Sequence, residues 1–240
     1  MNTSTPVTHA VLLAAGLGRR LQPYTDSTPK PLLVHRGKPT LDYLLDSLQQ
    51  AGVTDIVLVT HHLHEQVEQY AQIRSAGSAQ HVQCVYQSHL FGTAHALQSV
   101  IDTVPEHVSF PFILSATDYL VPREFFSQLV EFHHQHDAQA TVSMKQLPDA
   151  ELESRSSIRF DRDRAIMEIV EKPAKGTAPS NIGANLTFIL PPQIIDYIDN
   201  VPMSDRGERE VQHAINQWLS EGGTAKGLLQ PVPSEWQPPN

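Results

Sequence analysis

The residues best suited to chemistry lie near the N-terminus, where two glycines and two cations follow an apolar run. Gly16 and Gly18 come directly after the run Ala10–Ala15, which predicts a short buried strand. Glycine lets a loop turn its backbone N–H groups inward around a phosphate chain. Arg20 and Lys30 add fixed positive charge to the same stretch. These residue types in this order predict a site for an anionic, phosphate-containing ligand.

Two well-characterised phosphate-binding loops do not match this stretch. The Walker loop needs Gly-Lys-Ser/Thr at the start of a helix, whereas Gly18 is followed by two arginines. The dinucleotide fingerprint needs a third glycine where Leu21 stands. An ordinary strand-to-helix turn stays open as an explanation of the glycines alone. The charge favours a ligand, since residues 1–40 hold five Lys/Arg and one acidic residue in a chain of net charge −9.

A carboxylate stands at the end of a second apolar run. The stretch Phe110–Val121 reads as a buried strand that delivers Asp118 to its carboxyl end. A carboxylate there can hold Mg²⁺ against the oxygens of a triphosphate. The alternative, an aspartate that caps a helix, is not favoured by Tyr119 to Val121, which do not begin one.

A third segment, from Gln87 to Thr93, leads from a predicted strand end into a helix. A glutamine amide and backbone groups offer donors and acceptors at the fixed positions that a planar base needs. Gly92 lets the backbone approach a ligand closely, and the helix N-terminus favours acceptor groups. The alternative is a loop and a helix cap without a ligand.

The elements between these segments alternate in a regular way. A helix over residues 40–52 is followed by the strand Asp55–Thr60, the helix Leu63–Ile73 and the strand Val82–Tyr86. This order makes right-handed βαβ units and a parallel sheet. The fold class is therefore α/β: a Rossmann-like three-layer α/β/α arrangement with a mostly parallel central sheet. Ligand-binding groups are expected outside the carboxyl ends of the strands.

Length and composition limit the remaining possibilities. We expect one domain over residues 1–240, since 240 residues with 40% hydrophobic content suit one α/β core. No apolar run approaches the ~20 residues that span a bilayer, and the N-terminus lacks a secretory signal pattern. The single cysteine, Cys84, suits the reducing cytoplasm. The net negative charge argues against nucleic-acid and membrane partners.

The block Leu13–Leu21, followed by Thr28–Leu33, resembles the signature of the sugar-1-phosphate nucleotidyltransferases, which make nucleotide sugars from a nucleoside triphosphate and a sugar phosphate. The resemblance implies that four residues of the loop bind the nucleotide: Ala14, Ala15, Gly16 and Gly18. It also implies catalytic roles for Arg20 and Lys30. The family more often has Thr where Arg19 stands.

Further blocks of the chain resemble the same family. Gln87, Gly92 and Thr93 match its base-recognition loop, and Asp118 matches its metal-binding aspartate. In the Glu-Lys-Pro segment, Glu171 would bind sugar hydroxyls and Lys172 would contact the sugar phosphate in catalysis. The block over residues 180–188 resembles the lining of the sugar pocket, which implies that the sugar phosphate is bound by Gly183 and Asn185. Asn185 stands where an aromatic residue is more usual.

The family's last motif is only partly present. Many members read Trp-x-Asp-x-Gly-Thr, and the Asp is a second metal ligand; here the sequence ends with Trp236-Gln237-Pro238-Pro239-Asn240. Some uridylyltransferase relatives have Asn at this place, so Asn240 is the candidate second metal ligand. A truncated C-terminus stays open as an alternative.

The resemblance thus implies a Mg²⁺-dependent reaction of a nucleoside triphosphate, with UTP or dTTP favoured, and a sugar 1-phosphate. The products are an NDP-sugar and pyrophosphate. Two alternatives stay open: a cytidylyltransferase for phosphocholine or another non-sugar phosphate, and a regulatory homologue that binds nucleotide or NDP-sugar with little turnover. No nucleic-acid or membrane partner is expected.

Overall fold

A computed structural model describes residues 5–231 and 234–238 of the chain, and within them it forms thirteen strands and six α-helices. The strands in chain order are β1 (His9–Leu13), β2 (Val34–His35), β3 (Lys38–Pro39), β4 (Asp55–Thr60), β5 (His81–Tyr86), β6 (Phe112–Ala116), β7 (Tyr119–Leu120), β8 (Ala140–Gln146), β9 (Ser157–Phe160), β10 (Ile166–Val170), β11 (Ile182–Leu190), β12 (Ala225–Leu229) and β13 (Ser234–Glu235). The helices are α1 (Thr40–Gln50), α2 (His64–Ala76), α3 (Thr93–Thr103), α4 (Phe125–Gln135), α5 (Ile195–Ile198) and α6 (Val211–Ser220).

Seven strands form one central sheet in the order β12-β8-β11-β6-β1-β4-β5. Neighbouring strands run parallel except at β11, which is antiparallel to both β6 and β8. The carboxyl ends of β1, β6 and β8 therefore meet the amino end of β11 at one edge of the sheet. The sequence prediction of a mostly parallel sheet is confirmed.

Helices cover both faces of this sheet and complete the predicted three layers. One apolar layer joins the sheet to α1, α2 and α4, and the other joins it to α3, α6 and the β9–β10 hairpin. The predicted apolar stripe of α1 (Leu41, Leu44, Leu45 and Leu48) is fully buried. Each such leucine contributes about 1.5–3 kcal/mol through removal of its surface from water.

Element boundaries follow the sequence prediction closely, with two differences at the site. The predicted strand Phe110–Val121 divides into β6 and β7, so Asp118 lies in the two-residue connection between them. The strand β4 has the predicted bounds, whereas β1 ends at Leu13 instead of continuing to Ala15. Ala14 N still donates to Val59 O at 2.8 Å, and the chain then leaves the sheet. The residues predicted as the end of a strand are therefore part of the glycine loop.

Two short pairings matter for the site. The strand β13 pairs antiparallel with β7, directly after Asp118, and Trp236 Nε1 donates to Val34 O at 2.9 Å. The last described residues therefore lie beside the candidate metal ligand. Among the residues described, no helix has both the length and the apolar character that crossing a bilayer would take.

Candidate active site

Three adjoining clefts open at the sheet edge where β1, β6 and β8 end. The loop cleft, about 550 Å³, is bounded by residues 13–19 together with Gln87 and Asp118. The terminal cleft, about 360 Å³, lies between Arg20, Lys30 and Trp236. The β8 cleft, about 470 Å³, is lined by Lys145, Glu171 and Lys172, among others. Shared walls make the clefts continuous: Lys30 belongs to the first two, Arg20 to the last two, and Thr93 to the first and third.

The glycine loop offers its backbone as a set of uncommitted donors. Ala14, Ala15, Gly16 and Gly18 all line the loop cleft, as predicted. Within the described residues, the N–H groups of residues 15–18 donate to no other group of the chain. Gly18 has a φ of 64°, and a Cβ there would lie 2.6 Å from Thr25 Cγ2. This loop can therefore present several N–H groups to an anion, and only glycine fits at position 18.

Lys30 and Asp118, 88 positions apart in the sequence, form an ion pair at the mouth of the loop cleft. Lys30 Nζ lies 2.9 Å from Asp118 Oδ2. The side chain of Asp118 is 26% exposed, yet its Oδ1 atom is buried and has no hydrogen-bond partner among the described residues. Thr117 Oγ1 donates to Leu13 O at 3.0 Å, which fastens the end of β6 to the end of β1. A carboxylate oxygen without a partner fits a hard cation such as Mg²⁺.

Arg20 lies in a single-turn 3₁₀ helix (Arg19–Leu21) directly after the loop. Its side chain is exposed, and within the described part of the chain it joins no ion pair. Since Arg20 lines two clefts and Lys30 bridges to Asp118, the predicted cations and carboxylate converge on one region.

The loop from Gln87 to Thr93 is held by contacts that fix its polar groups. Gln87 is buried, and its Nε2 atom donates to Gly92 O at 3.2 Å and to His95 Nδ1 at 3.0 Å. Burial lowers the pKa of His95, and the nearby Arg209 adds to this effect, so its ring is neutral and can accept. Because Gly92 O can only accept, the amide is oriented with Oε1 as its remaining acceptor.

Gly92 and Thr93 connect this loop to the start of α6. Gly92 has a φ of 97°, and a Cβ there would lie 2.5 Å from Arg209 O. Thr93 Oγ1 accepts a hydrogen bond from Val211 N at 2.9 Å. Both residues line the loop cleft as predicted, and they also join the two halves of the site.

We expect Gly92→Ala to destabilise the fold by about 1–3 kcal/mol, because an L-residue is strained at this φ and the new methyl collides with backbone. Urea denaturation of the purified variant measures this change. Gly37→Ala is the matched control, since Gly37 also has a positive φ but open space around its Cβ position. Equal stability losses at the two positions would show that the contact with Arg209 contributes nothing.

Glu171 and Lys172 follow the end of β10 and face the β8 cleft. Glu171 Oε2 accepts hydrogen bonds from Ser156 Oγ and, at 3.1 Å, from Gln212 Nε2. Lys172 Nζ is 3.9 Å from Glu171 Oε1, and its side chain is 44% exposed. Lys172 has a φ of 44°, in a region that lysine rarely adopts. A carboxylate fixed by two hydrogen bonds therefore lies beside an exposed cation.

The structure places two predicted sugar-phosphate residues away from the cleft walls. Asn185 is fully buried and donates from Nδ2 to Ser143 Oγ at 2.9 Å. Gly183 is also buried, and a Cβ there would meet Ser156 O at 2.7 Å. Ala184 and Leu186, the residues adjoining Asn185, line the β8 cleft instead. Neither residue lines one of the three clefts, although the buried Oδ1 atom of Asn185 has no partner among the described residues, so their roles toward the sugar phosphate stay predictions.

Sequence reasoning gave no role to Lys145 and Arg155, which also line the β8 cleft. A lysine within the otherwise uncharged strand β8 is the signal that points to the first of them. Arg155 has no comparable signal, because it lies in an irregular polar connection.

The metal predictions have different outcomes. Asn240 lies outside the described residues. Among those that are described, one group of three possible ligands comes together, at Asp55, His81 and His107. Asp55 and His81 begin β4 and β5, so this group lies at the sheet edge opposite Asp118.

Comparisons with known proteins agree with this geometry. The family model described as "Nucleotidyl transferase" matches residues 9–232. A UTP–glucose-1-phosphate uridylyltransferase 2 from Staphylococcus saprophyticus is 27% identical, over 87% of this chain and 80% of the relative. The mannose-1-phosphate guanylyltransferase catalytic subunit beta of Drosophila pseudoobscura is 29% identical over 87% of this chain. The match spans only 54% of that relative's length.

Solved structures share the fold. A UDP-glucose pyrophosphorylase complexed with UDP-glucose superposes with a TM-score of 0.80 at 21% identity, over 92% of this chain and 90% of that one. A UTP-bound enzyme of the same kind from Acinetobacter baumannii has a TM-score of 0.74 at 24% identity, over 93% of this chain and 86% of that one.

Proposed function

Since the chain belongs to the nucleotidyl transferase family, we propose that it transfers a nucleotidyl group from a nucleoside triphosphate to a sugar 1-phosphate. The products are an NDP-sugar and pyrophosphate. The observation that carries this proposal is the meeting of the donor-rich glycine loop, Arg20, Lys30 and Asp118 around continuous clefts. The activities named for the matched relatives support it.

The triphosphate occupies the loop cleft and the terminal cleft. The uncommitted N–H groups of residues 15–18 hold phosphate oxygens, and Arg20 binds the part that leaves as pyrophosphate. Lys30 lies beside it with its ammonium already fixed by Asp118. Preorganised charge of this kind stabilises the transition state because it needs no rearrangement during the reaction.

The acceptor occupies the β8 cleft. Glu171, held by Ser156 and Gln212, accepts hydrogen bonds from sugar hydroxyls, and Lys172 contacts the sugar phosphate. A phosphate oxygen of the acceptor attacks the α-phosphorus and forms the new P–O bond. The bond from that phosphorus to the bridging oxygen breaks, and pyrophosphate leaves with the electron pair. No general base is required, because a phosphate monoester is already anionic near neutral pH.

A divalent cation fits the carboxylate end of this site. Asp118 would hold it through the buried Oδ1 atom, which has no hydrogen-bond partner among the described residues, and Asn240 is the proposed second ligand. Bound Mg²⁺ would neutralise phosphate charge. The group at Asp55, His81 and His107 lies at the opposite sheet edge and takes no part in this proposal.

Gln87 selects the base. Its Oε1 atom accepts a hydrogen bond from a base N–H, since Nε2 is committed to Gly92 and His95. Uracil and thymine carry such an N–H at N3, as guanine does at N1, whereas cytosine and adenine present a bare ring nitrogen there. This orientation supports UTP, dTTP or GTP over CTP and so opposes a cytidylyltransferase. The resemblance of this segment to the family's base-recognition loop favours UTP or dTTP among them.

We expect UTP and dTTP to bind at least about 10-fold more tightly than CTP, because cytosine would leave the Gln87 acceptor facing another acceptor. Thermal-shift titrations with five nucleoside triphosphates in Mg²⁺ measure this ranking, since a ligand of the folded state raises the apparent melting temperature. The Gln87→Ala variant should bind the five nucleoside triphosphates with nearly equal affinity. A preference for CTP in the wild-type protein would exclude this orientation of the amide.

The reaction itself is tested by pyrophosphate release over all pairs of five nucleoside triphosphates and several sugar 1-phosphates. Release with at least one pair, dependent on both substrates, supports the proposal. If no pair of substrates releases pyrophosphate, although the protein binds nucleotide, the regulatory homologue becomes the better assignment.

A cytoplasmic location is the setting we propose for this reaction. Burial raises the pKa of the Cys84 thiol to about 12, so the side chain stays a protonated, unreactive thiol. A single free cysteine of this kind supports a reducing compartment.

A further inference from the structure

Lys145 is a largely buried lysine that forms no ion pair with the residues that the structure describes. It lies near the carboxyl end of β8, is 4% exposed, and lines the β8 cleft. Within the described residues its ammonium donates no hydrogen bond and no carboxylate oxygen lies within 4.0 Å of it. The ammonium keeps a little accessible surface toward the cleft, and a charge so largely withdrawn from water is costly unless another group pairs with it.

The carboxylates that act electrostatically on Lys145 are those of Glu151, Glu235 and Asp118, and each already has a partner, Lys30 in the case of Asp118. Arg155 forms ion pairs with Glu235 at 3.0 Å and with Glu151 at 3.3 Å. Glu171 accepts from Ser156 and Gln212, and Glu210 pairs with Arg206. Glu208 also lines the β8 cleft and forms no ion pair among the described residues, but it lies more than 4.0 Å from the Lys145 ammonium.

The direction of the pKa shift of Lys145 agrees with its lack of a direct partner. Burial lowers its pKa, and the positive charge of Arg155 lowers it further, against partial compensation from more distant carboxylates. The β8 cleft therefore holds a cation that no group among the described residues pairs with directly.

The other cations of the cleft have different surroundings. Arg20 and Lys172 are exposed, and the proposed function uses both of them for phosphate groups. Lys145 is set deeper, cross-strand from Gly183 of β11 and on the same wall as Glu171, which the proposed function assigns to sugar hydroxyls. Its single charge matches one further negative charge on the sugar.

We propose that the β8 cleft binds a sugar 1-phosphate that carries a carboxylate, and that Lys145 pairs with this carboxylate. The inference rests on the proposed function and narrows its acceptor to acidic sugars. Hexuronic acid 1-phosphates are the simplest members of the class. A neutral hexose 1-phosphate would leave the ammonium buried and unpaired.

The test compares glucuronic and galacturonic acid 1-phosphates with glucose and galactose 1-phosphates in the pyrophosphate-release assay. We expect wild-type kcat/KM to favour the acidic sugars at least about 10-fold, the scale of one charged hydrogen bond. In Lys145→Met this ratio should fall by a similar factor. Lys226→Met, which removes an exposed lysine from β12, is the control and should keep the wild-type ratio.

Calorimetric binding of glucuronic acid 1-phosphate, without nucleotide, gives a readout that does not need turnover. Binding by the wild-type protein, together with loss of binding in Lys145→Met, supports the proposal. This holds even if no pair of substrates releases pyrophosphate, because the absence of turnover would refute only the proposed function. Lys145→Gln is the second variant if the methionine protein does not fold. Wild-type preference for neutral sugars, or an equal loss for neutral and acidic sugars in the variants, would overturn the inference.

Discussion

Asp118→Asn is expected to lower kcat by at least ~1000-fold in saturating Mg²⁺, the largest effect predicted for a single substitution. The change keeps the shape of the side chain but removes its charge. Two contributions are weakened together, because the single neutral oxygen of an amide cannot serve both: the counter-charge for Lys30, 2.9 Å away, and the anionic ligand for a divalent cation. Loss of one preorganised electrostatic group alone costs ~100- to 1000-fold.

Steady-state pyrophosphate release over a Mg²⁺ titration measures this effect, and circular dichroism verifies that the variant is folded. Asp196→Asn is the matched control, because Asp196 is exposed and lies on α5. Its rate should equal that of the wild type. An Asp118→Asn protein with normal rate and normal Mg²⁺ dependence would place the metal elsewhere.

Arg20→Ala is expected to reduce kcat/KM at least ~100-fold, the scale of one lost transition-state donor. Arg20 lines both the terminal cleft and the β8 cleft, and within the described residues no carboxylate competes for its guanidinium. Arg20→Lys should recover only part of the loss, because an ammonium keeps the charge but not the planar pair of donors.

The control for this experiment is Arg123→Ala. Arg123 is exposed and belongs to a separate surface cleft with Tyr43 and Asp46. Stability should stay unchanged in Arg20→Ala, since an exposed side chain without partners contributes little to folding. Wild-type turnover in this variant would remove Arg20 from the mechanism.

The sequence predicted the fold and most of the nucleotide side because those features depend on local patterns. A buried strand, two glycines and a strand-end aspartate each have a local physical reason, and a parallel sheet brings their ends together. The prediction of a parallel sheet is therefore enough to bring Gly16, Gln87 and Asp118 to the same end of the sheet, and the structure shows all three lining one cleft. The ion pair between Lys30 and Asp118 could not be predicted, because it depends on side-chain reach across the cleft.

The sugar side was harder to predict, and β11 shows why. The register of β11 against β8 shifts between Ala184 and Phe188, so simple alternation does not tell which side chains face the cleft. Asn185 therefore points into the core, where Ser143 accepts its amide hydrogen. The role of Lys145 is hard to predict for a related reason. Its strand, β8, is buried on both faces, and a buried sequence pattern does not show that the carboxyl end of the strand borders a cleft.

The division of the site between an earlier and a later stretch of the chain has a consequence for how its specificity can change. Lys145, Arg155, Glu171 and Lys172 all come from the chain after β7, whereas the phosphate-handling loop and Asp118 come from the chain before it. The two stretches are joined within the central sheet, where β11 pairs with β6, and by single bonds such as that from Val211 N to Thr93 Oγ1. Substitutions in the later stretch can therefore alter the acceptor side of the site without replacing any residue of the glycine loop or Asp118.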